Sequence, residues 1–108
     1  MTNTEIQKLV ERLQDQDRGV RRAAARALTG QAGEPEVRAA LLAAALEKDQ
    51  YWGVRREAAW ALAAQAGEPE VRAALLAAAQ EDQHWWVRQA AAEVLAAQAL
   101  AAQAHGER

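Results

Sequence analysis

The sequence predicts an all-α chain, an α-solenoid of about three antiparallel helix pairs, and three observations carry that prediction. Gln31–Ala45 reads QAGEPEVRAALLAAA, and Gln65–Ala79 repeats the same fifteen letters 34 positions later. That spacing is the length of one supersecondary unit, and self-similarity at such a period marks stacked repeats. More than a quarter of the residues are alanine, the strongest helix former, and Leu, Glu, Gln and Arg supply much of the rest. Gly-Glu-Pro recurs at Gly33–Pro35 and Gly67–Pro69. Proline at a first helical position and glycine just past a helix end punctuate helices in that way.

The elements follow in order. A first helix is expected from about Thr4 to Gln14, with Thr4 and Gln7 as a capping box. Ile6, Leu9, Val10 and Leu13 fall on one apolar stripe, while Glu5, Lys8, Glu11 and Arg12 form a charged outer face, the mark of a cap on a repeat array. A second helix begins near Arg18 with Asp17 as N-cap. It is expected to bury Val20, Ala24, Ala27 and Leu28 and to stop at a left-handed Gly33. Pro35 opens a third helix that buries Val37, Leu41, Leu42 and Ala45 and ends near Glu47–Asp49. The fourth (about Trp52–Ala66) repeats the second, the fifth (about Pro69–Gln80) repeats the third, and the sixth runs from Trp85 towards Ala104. One domain over 1–104 is expected, with repeats at about 4–32, 35–66 and 69–104 and a disordered tail at 105–108.

Composition bounds the function. A chain of 108 residues buries roughly 65% of its unfolded surface, enough for a core without disulfides or metal. Cysteine and serine are absent and threonine occurs only at 2, 4 and 29, which excludes a Ser- or Cys-based covalent mechanism. The only histidines, His84 and His105, have no clustered ligands, so no metal site, cofactor or catalytic residue is expected and the chain reads as no enzyme. The polar start Met1–Thr4 and the lack of a long apolar run predict no signal peptide and no membrane span, hence a cytoplasmic protein. Net charge is −2 with acids and bases interspersed, which argues against a strong nucleic-acid footprint.

Val-Arg-x-x-Ala-Ala-x-Ala-Leu stands at Val20–Leu28 and Val54–Leu62, more loosely at Val87–Leu95, and Pro-Glu-Val-Arg-Ala-Ala-Leu-Leu at Pro35–Leu42 and Pro69–Leu76. These segments resemble the second helix of HEAT-like repeats of the phycobilin-lyase type and the first helix of the repeat that follows. Artificial alpha-repeat scaffolds share the pattern. The resemblance spans about residues 4–104 and implies a solenoid whose second helices line a concave surface. It also implies that an Asp before the Val and the Arg after it link neighbouring repeats. Asp17 and Arg21 match, and so do Arg55 and Arg88, but Tyr51 and His84 hold the Asp position while Asp49 and Asp82 lie two residues earlier. A regular Asp–Arg ladder is therefore not expected at those two joints.

The repeats differ at particular slots, and those slots hold nearly all the aromatic residues. Arg18, Trp52 and Trp85 share one; Gly19, Gly53 and Trp86 another; then come Arg22, Arg56 and Gln89, and Arg26, Trp60 and Glu93. A constant frame with a variable Trp-rich patch is the pattern of a binding surface. Because its equivalents are Arg and Glu, Trp60 is expected to face water, on one helix stripe with Gly53, Arg56, Glu57 and Ala64. The candidate partner-binding residues are Trp60, Trp86, Arg56, Gln89, Arg22, Arg26, Trp52 and Trp85, with Trp52 and Trp85 equally readable as plugs of the inter-helix turns. The partner expected is a protein, or a second copy of the chain, because the last helix carries Val94, Leu95 and Leu100 without a charged outer face. Arg18, Arg22 and Arg26 echo the basic stripe of HEAT-like DNA glycosylases, but Glu57 and Glu93 interrupt it and speak against nucleic acid. Identical frames beside diversified surface slots fit an engineered repeat protein as well as a recent duplication.

Overall fold

The computed structural model describes the backbone of residues 1–106 and the side chains of residues 1–104. Its elements are α1 (Asn3–Arg12), α2 (Arg18–Ala27), α3 (Pro35–Ala40) continued by a π-helical segment (Leu41–Glu47), α4 (Trp52–Ala61) followed by a 3-10 turn (Ala63–Gln65), α5 (Pro69–Glu81) and α6 (Trp85–Gly106). No strand occurs among the described residues. Helices α2, α4 and α6 pack side by side in one row, and α1, α3 with its π segment, and α5 form a second row against them. The molecule is 17 Å in its thinnest dimension, about two helix layers. This is the α-solenoid that the repeat predicts. Its last helix runs through Gly106, and of the tail expected at 105–108, residues 107 and 108 lie outside the described residues.

The core is a double row of branched side chains separated by alanine. Leu13, Leu28, Val37, Leu41, Val54, Leu62, Val71, Leu75 and Val87 are fully buried, with Ala24, Ala25, Ala58, Ala59, Ala90 and Ala91 between the helices of the α2–α4–α6 row. Alanine there removes side-chain bulk, so adjacent backbones approach closely.

Four local expectations change. The capping box of α1 is Thr2 with Glu5: Thr2 Oγ1 accepts from the Glu5 N–H at 3.2 Å, and Glu5 Oε1 accepts from the Thr2 N–H at 3.2 Å. Thr4 already lies inside the helix. The left-handed residue after α2 is Gly30, at φ 86°, and Gly33 has ordinary φ; α2 ends a turn earlier than expected because Leu28 must point into the core. Ala27 is exposed and Ala25 takes its place in the core, since the flank of α2 away from α4 has no helix against it. Finally, α4 ends at Ala61 and tightens into the 3-10 turn rather than running on as one helix to Ala66.

The duplicated segments do not wind alike. Pro35–Ala45 and Pro69–Ala79 are identical, yet Leu41–Glu47 is π-helical while Leu75–Glu81 stays α-helical. Val37 precedes Asp49 by 12 residues and Val71 precedes Asp82 by 11, the extra residue being Lys48. Both aspartates are fixed by equivalent arginines (below), so the first copy fits one more residue into the same span. A π bulge, with its wider turn, absorbs an inserted residue in that way.

Candidate functional site

Each joint that leads into α2, α4 or α6 starts with the same dipeptide, at Asp15-Gln16, Asp49-Gln50 and Asp82-Gln83. Asp49 Oδ1 accepts from the Tyr51 N–H and Asp82 Oδ1 from the His84 N–H, both at 2.9 Å, which folds the turn before α4 and α6. The same carboxylates accept bidentate pairs from the preceding repeat. Arg21 donates to Asp49 at 2.7 and 3.2 Å, and Arg55 donates to Asp82 at 2.9 and 3.1 Å. Planar guanidinium–carboxylate pairs of this kind fix geometry as well as adding energy. The ladder thus exists at both joints where the sequence argued against it. Asp17 takes no part in it and instead caps α2, accepting from the Gly19 N–H at 2.7 Å. The hydrogen bond to Asp49 raises the Arg21 guanidinium above its ordinary value, against the opposing effect of burial.

The ladder sets the register in which α2, α4 and α6 present their outer residues. Glu57 is expected on the solvent stripe beside Trp60; in the structure it is 3% exposed and faces α2. Arg26 Nη2 reaches it at 2.8 Å and Arg22 Nε lies 3.7 Å away. A buried carboxylate needs such partners, because desolvating an unpaired charge is costly. The bond to Glu57 also raises the Arg26 guanidinium above its ordinary value. Arg22 and Arg26 therefore serve the α2–α4 contact first.

Aromatic rings fill the next gap along the row. Trp52 stacks on His84 with centroids 4.4 Å apart and 12° between planes, and meets the edge of Trp86 at 4.8 Å. Trp85 tilts against Trp86 at 5.4 Å, Tyr51 against Trp52 at 5.6 Å, and the Arg18 guanidinium covers Tyr51 at 4.6 Å. Arg56 stands at the centre, its guanidinium carbon 5.1, 4.7 and 5.7 Å from the Trp52, Trp60 and Trp86 centroids. Each such cation–π contact contributes about 0.5–1 kcal/mol at an exposed site. Among the described residues Arg56 has no carboxylate partner, and its Nε is buried without a hydrogen bond.

Arg56, Trp60, Trp86 and Gln89 come together with Ala90 and Glu93 around a shallow groove of about 210 Å³ between α4 and α6. Trp60 is 39% exposed, Trp86 40% and Trp85 55%, whereas Trp52 is half-buried in the ring stack. Of the eight candidates, four thus line one groove, Trp52 and Trp85 flank it through Trp86, and Arg22 and Arg26 sit one helix away on Glu57. The sequence reading missed Tyr51, His84 and Arg18 as members of the aromatic ribbon. Tyr51 and His84 left a signal, since both replace Asp17 at the N-cap slot that precedes a Trp. A hollow of about 580 Å³ between α1 and the π segment is lined by Asp15, Arg21 and Asp49, which already bond within the joints.

The HEAT repeat model matches residues 6–96. The chain belongs to the HEAT-repeat family. HEAT repeats are generally protein-interaction scaffolds, and the family is typically non-enzymatic. No curated protein matches it. No group of three or more metal-ligating His, Cys, Asp or Glu residues occurs among the described residues. No described helix of this HEAT-repeat protein is long and apolar enough to cross a membrane.

Proposed function

We propose that this chain is a non-enzymatic scaffold that recognises a protein partner through the groove of Arg56, Trp60, Trp86 and Gln89, with Trp85 and Trp52 at its edge. One observation carries the reading: Trp60 and Trp86 keep 39% and 40% of their surface exposed around the Arg56 guanidinium, which pairs with no carboxylate among the described residues. Fully burying one such aromatic stabilises by about 1.5–3 kcal/mol, so the patch holds contact energy that folding leaves unused. Trp and Arg are also the residues that dominate binding energy at protein interfaces. The rings anchor, and Arg56 and Gln89 supply directional donors. Glu93 on the rim of the same groove opposes phosphate chains, so nucleic acid is a weaker reading. The test compares wild type with Trp60→Ala/Trp86→Ala as bait for cell-lysate proteins. Partner capture is expected to be lost at a temperature where circular dichroism shows the double variant still folded; equal capture by the double variant defeats the reading.

A second reading, self-association, is favoured by a different observation. Leu76 is 48% exposed, although Leu42, its counterpart in the identical segment, is 3% exposed. The α5–α6 side of the solenoid is an open repeat interface.

A further inference from the structure

The self-association reading, on which this inference rests, is given a direction by the Asp–Arg ladder. Arg88 makes the backbone contact that Arg55 makes one repeat earlier: its Nη1 donates to the Asp82 carbonyl at 2.6 Å, as Arg55 Nη1 donates to the Asp49 carbonyl at 2.8 Å. Arg55 spends its other edge on Asp82, but no carboxylate among the described residues receives that edge of Arg88. At the opposite side Asp15 makes the turn contact of Asp49 and Asp82, accepting from the Asp17 N–H at 2.9 Å. No guanidinium among the described residues reaches the Asp15 carboxylate. Among the described residues the ladder therefore has a half-made rung of each sign, one at either side of the stack.

The helix faces beside these two groups are unpartnered in the same complementary way. Ala23 and Ala27 of α2 are exposed, while their equivalents Glu57 and Ala61 in α4, and Ala90 and Val94 in α6, are buried against the preceding helix. On the other side the Leu76 surface of α5 and Gln89, Ala92 and Glu93 of α6 are open. These surfaces are the two halves of the contact that α2 makes with α4 and α4 with α6.

We propose that a second copy of this chain docks end to end, the α2 face of one copy on the α6 face of the other, with Arg88 of the copy that presents α6 closing the rung on Asp15 of the copy that presents α2. The contact is heterologous, so each addition leaves the same two faces free and assembly continues beyond a dimer. The charged outer row of α1 (Glu5, Lys8, Glu11, Arg12) and Gln80, where the earlier repeat has Leu46, limit the apolar area. The association is accordingly reversible, concentration-dependent and weakened by salt.

Sedimentation of the 108-residue chain from micromolar to millimolar concentration tests this. Wild type is expected to gain average mass past the dimer, and Arg88→Asp and Asp15→Arg are each expected to sediment as monomers. Their equimolar mixture re-forms both rungs, one swapped and one original, and recovers wild-type association, which also shows that both variants fold. If Asp15→Arg does not fold, Arg88→Gln, which also gives up the bond to the Asp82 carbonyl, is expected to lower association several-fold while melting within about 5–10 °C of wild type. A wild type that stays monomeric throughout overturns both the self-association reading and the ladder. Association that the charge variants leave unchanged overturns the ladder alone, and its loss in Trp60→Ala/Trp86→Ala then moves the contact to the aromatic face.

Discussion

Leu42 and Leu76 form a matched pair inside one molecule, because fifteen identical residues surround each of them. Leu42 is 3% exposed, closed over by the following repeat, and Leu76 is 48% exposed. Truncating a buried leucine to alanine costs about 2–5 kcal/mol, the lost transfer energy plus the cavity left behind. With about half its surface already in water and no enclosed cavity to leave, Leu76 stands to lose about 1 kcal/mol or less. For a domain of this size 1 kcal/mol moves the melting temperature by about 4–5 °C. Leu42→Ala is therefore expected to melt about 8–25 °C below wild type and Leu76→Ala within about 5 °C of it. Far-UV circular dichroism at low micromolar concentration, where chains are apart, reads the difference, and urea midpoints check it. Equal losses at the two positions refute the reasoning, since they would mean that local sequence rather than the following repeat sets the cost.

Three further outcomes follow from particular contacts. Deleting Lys48 removes the residue that the π segment absorbs, so Leu41–Glu47 is expected to wind as its twin Leu75–Glu81 does, with stability retained or raised; a variant that fails to fold contradicts that cause of the bulge. Glu57→Gln keeps the shape but leaves Arg22 and Arg26 without their carboxylate, an expected loss of about 1–2 kcal/mol in a urea titration after allowance for the exposure of both arginines, and no loss would mean that these two contacts add nothing to the packing of α2 on α4. The Thr2 backbone and hydroxyl hydrogen bonds hold the Glu5 carboxyl below its ordinary value, so its contribution is present above the unfolded value and is lost as pH falls through the lower folded one; the fraying of α1, followed by amide exchange, is expected to rise on acidification in wild type and to be less pH-sensitive in Glu5→Gln.

Much of the architecture is legible in the sequence. The helix starts at Arg18, Pro35, Trp52, Pro69 and Trp85 follow from caps, prolines and the period, because these signals act within one turn of backbone. The grouping of Trp60, Trp86, Arg56 and Gln89 follows from comparing slots across repeats. Glu57 was misread because its slot holds Ala in the other two repeats, and only the approach of Arg22 and Arg26 from α2 makes a buried carboxylate tolerable. The ladder was misread because the Asp17 slot drew attention away from the Asp-Gln dipeptide that recurs at all three joints. Gly33 looked like the helix stop, yet the chain had already turned at Gly30 to seat Leu28.

The sequence by itself determined the period, the helix pairing and the slots where repeats differ, since propensity, capping and hydrophobic spacing are local properties. Only the tertiary structure decided how the same fifteen letters behave in two places. Pinned between Arg21 and the next repeat, one copy winds into a π bulge and buries Leu42; the other stays α-helical and leaves Leu76 in water. Burial and pairing are relations between segments, and the packing of α2 on α4 and α4 on α6 turns a list of Trp and Arg slots into one groove around Arg56.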